Sequence, residues 1–245
     1  MSNPIMNKII NRDVTTENVM DSNNVMTVDG TVNTTLVMGL LLITSAVFTF
    51  SRMSMGYTDL GVMLTGLGAI SAFILALIII FTRAVTLVPF YGIAEGLFLG
   101  GVSAMFELSY PGVVVNAVAG TFAALIVMLI LYRMKVIQCT EKFRAVVIIS
   151  TVSIGVLYLI NILGSFFGYS IPFIFTSSNI GIGFSLFVII VASLNLIIDF
   201  DFIERGAQMM LPKKYEWLGA FGLMVTLVWL YIEFLNLFVK LQSRD

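Results

Sequence analysis

Histidine is absent and cysteine occurs once, at Cys139, in a chain of 245 residues. The first absence excludes histidine-bearing zinc motifs, Ser-His-Asp triads and Ser-His intramembrane proteolysis. The second excludes a disulfide within the chain, and Cys139, set in a basic loop, reads as an idle reduced thiol rather than a redox switch. Charge is scarce as well. Only 11% of residues are charged, the net charge is −1 and no Lys/Arg run occurs, so no nucleic-acid partner is expected, because such binding draws chiefly on phosphate neutralisation. Residues 1–30 lack the apolar core of a cleaved signal peptide, so the first span is expected to act as an uncleaved signal.

What the chain has in abundance is apolar length. Hydrophobic residues make up 59% and the mean hydropathy is +1.03, values outside the range of a soluble domain. The reading is an all-α polytopic membrane protein with a cytoplasmic tail over residues 1–30 and one transmembrane domain over residues 31–245. An uncharged stretch of about 20 residues crosses a hydrocarbon core at 1.5 Å per residue. Thr31–Ser51, Leu60–Thr82, Ala84–Phe106 and a run from about Gly112 to Tyr132 give four spans. Residues 145–198 hold no charge at all, a length that as one helix would reach about 80 Å, so the chain folds back near Gly164, Gly168, Pro172 and the polar cluster Thr176–Asn179. Spans five and six then cover about 145–165 and 180–200, and span seven lies within Trp217–Leu241. With the N terminus inside, ten of the thirteen basic residues fall on the cytoplasmic side and only Arg52, Lys240 and Arg244 outside. The positive-inside rule therefore predicts that the C terminus lies outside, and the expected location of this multi-pass protein is the cell's inner (plasma) membrane.

Ionisable side chains within the spans are the sharpest functional signal, since each costs about 2.5–3.5 kcal/mol at a helix centre. Glu95 lies near the middle of span three, where it is either a neutral structural acid or an acid of a pathway. Asp199 and Asp201 are two residues apart, about 200° around a helix, so only one can line a given cavity. Asp201 has the i, i+4 spacing of an interfacial ion pair with Arg205 and reads as a solvated helix end, with an auxiliary acid of a pathway as the alternative, which leaves Asp199 as the deeper acid. Glu233, with Asn236 and Lys240, makes a polar stripe on span seven that either conducts or fastens helices. Arg83, closing span two, is the candidate cation. Gly92, Gly96 and Gly100 form a smooth stripe on span three that allows a neighbouring backbone to approach. Depth raises a difficulty: Glu233 lies 16 residues past Trp217, about 24 Å along a helix, so it meets Asp199 only if span seven starts late.

Three segments, F-Y-G-I-A-E-G-L-F-L-G-G-V-S at Phe90–Ser103, I-I-D-F-D-F-I-E at Ile197–Glu204 and E-W-L-G-A-F-G-L-M-V-T-L-V-W-L-Y-I-E-F-L-N-L-F at Glu216–Phe238, resemble the Bax inhibitor-1 family in its bacterial YccA-like form. The similarity runs from Asn3-Pro4 to Arg244. It implies six helices packed around a central seventh and a pH-sensitive Ca²⁺ leak in which two acids share a proton while an arginine engages one of them. The D-x-x-x-I match carries the first acid onto Asp199 with Ile203, the L-Y-x-acid-x-x-N-L-F match carries the second onto Glu233, and Arg83 takes the arginine's place. Glu233 stands where the family pattern has aspartate. Asp201 and Glu204 belong to the subgroup resemblance and receive no role.

No resident cofactor is expected and no metal-ligand set is assigned; Ca²⁺ enters as a transported ion, with protons and membrane lipid as the other partners. A retinal protein would need a lysine inside a span, whereas Lys240 sits at a helix end, and an intramembrane aspartyl protease would need a G-x-G-D context that is missing. A non-enzymatic leak is thus the leading expectation. Its rival is a structural or regulatory protein that binds a membrane protease or another membrane complex.

Overall fold

A computed structural model describes residues 24–165, 167–168 and 176–244. The tail up to residue 23 and Pro172 at the fold-back lie outside the described residues. Among the described residues, seven helices long and apolar enough to cross a membrane run in order: α1 Val28–Ser54, α2 Thr58–Thr82, α3 Val88–Ser109, α4 Val113–Arg133, α5 Glu141–Ser165, α6 Asn179–Gln208 and α7 Tyr215–Gln242. A short 3₁₀ turn, Val85–Leu87, leads into α3. Pro89 stands in the first turn of α3, where its missing N–H costs nothing, so the helix is not broken.

Local chemistry accounts for the helix ends. The Thr27 hydroxyl accepts from Gly30 N–H at 2.9 Å to cap α1, and Ser178 does the same for Gly181 at 3.2 Å to start α6. Glu107 reaches past the end of α3 and accepts from Gly112 N–H (2.7 Å) and Val114 N–H (3.1 Å), placing a carboxylate on the positive end of α4. Gly112 turns the chain with φ +86, a conformation open to glycine at little cost.

The helices alternate in direction. The loops at 83–84, 134–140 and 209–214 therefore gather at one end of the bundle, called here the basic end. Helix α3 packs on α1 and α2, α6 packs on α7, and α7 also packs on α1 and α4. Side chains extend the reach of α7 to the remaining helices: Trp217 and Leu218 pack on the cluster that contains Ile79 of α2, and Tyr158 of α5 meets Glu233. Helix α7 is the most buried span, and its close packing on α1, α4 and α6 sets it toward the centre of the bundle. The outer faces of α2, α4 and α5 present exposed Leu, Ile, Val and Phe side chains, as lipid-facing surfaces do.

The glycine stripe of α3 meets α1. A Cβ on Gly96 would strike the Leu42 carbonyl and the Ser45 hydroxyl, and one on Gly100 would strike the Ala46 carbonyl. On the other side of α3, Gly101 fits against Thr65 of α2, while Gly68 of α2 fits against the α3 backbone at Ala94 and Phe98. Close backbone contact replaces bulky packing here, as membrane helix pairs require.

The basic end is also tied by the residues that precede α1. Met26 N–H donates to the Leu211 carbonyl at 2.6 Å and Lys213 N–H to the Asn24 carbonyl at 3.0 Å. Met26, with 1% of its surface exposed, fills a small cluster with Ile203, Leu211 and Tyr215. Residues 24–30, expected to belong to the tail, are thus packed against the bundle or already helical.

Candidate functional site

Acids lie on α3, α6 and α7, and the structure gives them different surroundings. Asp201, 6% exposed and so not the solvated helix end expected, is held by two arginines. Arg144 Nη2 donates to its Oδ2 at 2.7 Å, and Arg205 Nε lies 2.9 Å from its Oδ1. The second is the i, i+4 pair anticipated from spacing; the first reaches across from α5. Arg205 Nη2 also donates to the Cys139 carbonyl at 3.2 Å, and Tyr132 donates to Glu204 at 2.5 Å. Together these contacts lash the α4–α5 loop onto the end of α6. Burial and the Asp201 charge push the Cys139 thiol up, while Arg144 beside it opposes the shift, so the thiol is poorly activated, as an idle cysteine should be.

Asp199, half-buried, faces α7. Its Oδ2 accepts from the Thr226 hydroxyl at 2.6 Å, and Gly222 clears the space beside its Oδ1. Glu233, 2% exposed, accepts from the Tyr158 hydroxyl at 2.8 Å through Oε2, while its buried Oε1 makes no direct hydrogen bond and Ser185 and Lys240 are its other polar neighbours. Lys240, 4% exposed, donates from Nζ to Ser185 Oγ at 2.8 Å and to the Gly181 carbonyl at 3.2 Å. Lys240, in the last turn of α7, is thus turned into the bundle with the rest of the polar stripe, and the aliphatic stem of lysine allows that.

These contacts fall into one pattern. Gly219, Thr226, Glu233 and Lys240 recur every seven residues on α7, and Asp199 and Ser185 lie fourteen apart on α6. A seven-residue interval advances two turns and returns to nearly the same face. The two helices run antiparallel, so the polar positions meet along one seam: Asp199 opposite Thr226, and Ser185 opposite Lys240.

The structure does not bring Asp199 and Glu233 together. Thr226, the partner of Asp199, precedes Glu233 by seven residues, which is about 10 Å along the helix. The physical reason is the start of α7: it begins at Tyr215, with no late entry that would lower Glu233 to the depth of Asp199. Arg83 is not brought to either acid. It caps α2 in a left-handed conformation, φ 56, is exposed, and lines a small cleft with Lys214 and Tyr215 at the basic end. Among the described residues the ion pairs are Arg144–Asp201 and Arg205–Asp201, and Arg83 joins neither.

Glu95, 9% exposed, lies on α3 with the Tyr91 hydroxyl as its polar neighbour. Tyr91 packs edge-on against Phe221 of α7 at a centroid distance of 4.9 Å. Among the described residues no group of three His, Cys, Asp or Glu side chains could hold a metal ion.

Sequence reasoning passed over Arg144, Tyr158, Thr226 and Glu216. The seven-residue interval from Thr226 through Glu233 to Lys240 is a signal that could have found Thr226. Glu216, 5% exposed, accepts from both the N–H and the hydroxyl of Thr27, each at 3.0 Å, and so anchors α7 to the start of α1. Nothing in a linear pattern links positions 27 and 216.

A multi-pass bundle with a buried central helix and carboxyl groups on its inner seam defines a class of membrane protein whose interior is built around ionisable groups. Residues 3–243 match the family described as Bax inhibitor 1 like, nearly the whole chain. The protein belongs to that family. Comparison with curated proteins and with solved structures gives no match.

Proposed function

We propose that the protein is a pH-sensitive leak for a hard cation, with Ca²⁺ the expected ion, running along the α6–α7 seam. The observation that supports this most is Glu233: a carboxyl group 2% exposed, one oxygen of which makes no direct hydrogen bond, in the interior of the bundle. Such a group is costly to leave unsatisfied and is a functional candidate by default in a membrane interior. A proton gained or lost there changes the donors it needs. Oxygen ligands suit Ca²⁺. Because seven residues of α7 separate Thr226 from Glu233, Asp199 and Glu233 act as two stations on one seam, not as one proton-sharing pair. Lys240 closes the seam at the end away from the basic loops.

The hydrogen bonds Asp199–Thr226 and Lys240–Ser185 favour a second reading, in which the polar seam only fastens α6 to α7 and the protein serves as a regulator of another membrane protein. Purified full-length protein in liposomes loaded with a Ca²⁺ dye separates the two. A leak above that of empty vesicles that varies with pH, with Asp199→Asn and Glu233→Gln each reducing the variation and the two effects adding, supports the leak. Flux equal to that of protein-free vesicles at every pH refutes it.

A further inference from the structure

Helices α1 and α4 flank α7 on the same side, yet their backbones scarcely approach one another. Between them, at the basic end, opens a cleft of about 890 Å³, within the usual size range of ligand pockets. Its walls are apolar: Val32 and Leu36 of α1 face Leu125 and Leu129 of α4, with Phe200 and Leu223 as the floor. Val32 is 50% and Leu36 64% exposed. In a membrane-spanning bundle such a cleft opens sideways into the acyl region of the leaflet at that end.

The rim of the cleft is positive. Arg133, Lys135 and Arg205 line it, with Asp201 and Glu204 as the acids. Asp201 is neutralised by Arg144 and Arg205. Glu204 is engaged by Tyr132 and Gln208. Arg133 and Lys135 are exposed and take part in neither of the ion pairs among the described residues. Of the residues that line the mouth, Arg133, Lys135 and Arg205 stand against Asp201 and Glu204, an excess of one positive charge. An apolar slot whose entrance carries unpaired cations at headgroup depth is complementary to one kind of molecule: an amphiphile with an acyl chain and an anionic head. We propose that the cleft between α1 and α4 binds an anionic phospholipid of the adjoining leaflet, its chain lying along Val32, Leu36 and Leu129 and its phosphate meeting Arg133 and Lys135.

Basic residues at a membrane surface contribute about 1 kcal/mol each toward an anionic lipid, so removing both should weaken binding about 30-fold, or about 2 kcal/mol. The test uses the delipidated full-length chain in detergent, with phosphatidylglycerol and phosphatidylcholine of identical chains as probes and retained lipid counted by native mass spectrometry. The native chain should retain phosphatidylglycerol in preference. Arg133→Gln combined with Lys135→Asn, asparagine being at ease at the positive φ of position 135, should abolish the preference, and Val32→Trp should reduce retention of both lipids. Millimolar inorganic phosphate should not displace the bound lipid, because the chain holds it.

Cys139 lines the same cleft and is the sole thiol, so it supplies a second readout in the unmutated protein. Phosphatidylglycerol should slow its alkylation more than phosphatidylcholine does. Equal retention of the two lipids by the native chain, a preference untouched by the rim variants, displacement by phosphate alone, or alkylation indifferent to lipid would each overturn the proposal.

Discussion

Replacing Asp201 by Asn tests whether the arginine clamp holds the basic end closed. The carboxylate bonds Arg144 at 2.7 Å and Arg205 at 2.8 Å, with side-chain exposures of 17% and 39% for the two arginines. Breaking a buried pair by removing one partner costs about 3–5 kcal/mol. Arg205 is exposed enough that water screens it, and its share falls to about 1 kcal/mol or less. Arg144 is the better shielded, so about 2–3 kcal/mol of local stability should be lost, which corresponds to a roughly 30- to 150-fold rise in the open population of the α4–α5 loop. Cys139, 7% exposed, lies within that loop and reports opening by alkylation, whose rate follows the open population when reclosing is fast. Removing the Asp201 charge also relieves part of the upward push on the thiol, so rates are to be followed across pH. Opening raises the plateau reached above the thiol's titration, whereas an electrostatic effect only moves the profile toward lower pH. Asp199→Asn, two residues earlier on α6 and bonded to Thr226, should leave the plateau unchanged. A shifted profile with an unchanged plateau in the Asp201 variant would refute the clamp.

Three further outcomes follow from the packing and the charge distribution. Glu216→Gln keeps one acceptor but loses the charge that faces the Thr27 N–H and the start of α1, and should lower resistance to denaturant by about 1–2 kcal/mol; an unchanged midpoint would mean the anchor contributes nothing. Gly96→Leu places carbon against the Leu42 carbonyl and should cost at least about 2 kcal/mol, whereas Gly66→Ala, in open space, should be neutral or mildly stabilising. The comparison reads as a difference in melting temperature between the two variants, and equal values would exclude close α1–α3 contact. A reporter inserted near Gln138 should lie inside and one fused after Arg244 outside; the same side for both would require an even number of crossings.

Residue types and their spacing determined the seven spans, because an uncharged run of about 20 residues has no other stable place than a bilayer. The same local reasoning placed the fold-back before Asn179, the pairing of Asp201 with Arg205, and the glycine stripe of α3, for these depend on contacts within one helix or on one helix's own surface. Tertiary structure decided what faces what. Whether Asp199 meets Glu233 depends on the depth at which α7 begins relative to α6, and no interval within either helix reveals that offset. Arg144 lies 57 residues from Asp201 and Thr27 lies 189 from Glu216, so those partners are set by helix order and tilt. Arg83 shows the converse: it closes a span at a place that suggests a counter-ion, yet the end of α2 rests beside Lys214, away from the acids. Lys240 looked terminal because it is near the end of the chain, and it is interior because α6 begins beside it and supplies a carbonyl and a hydroxyl for its ammonium.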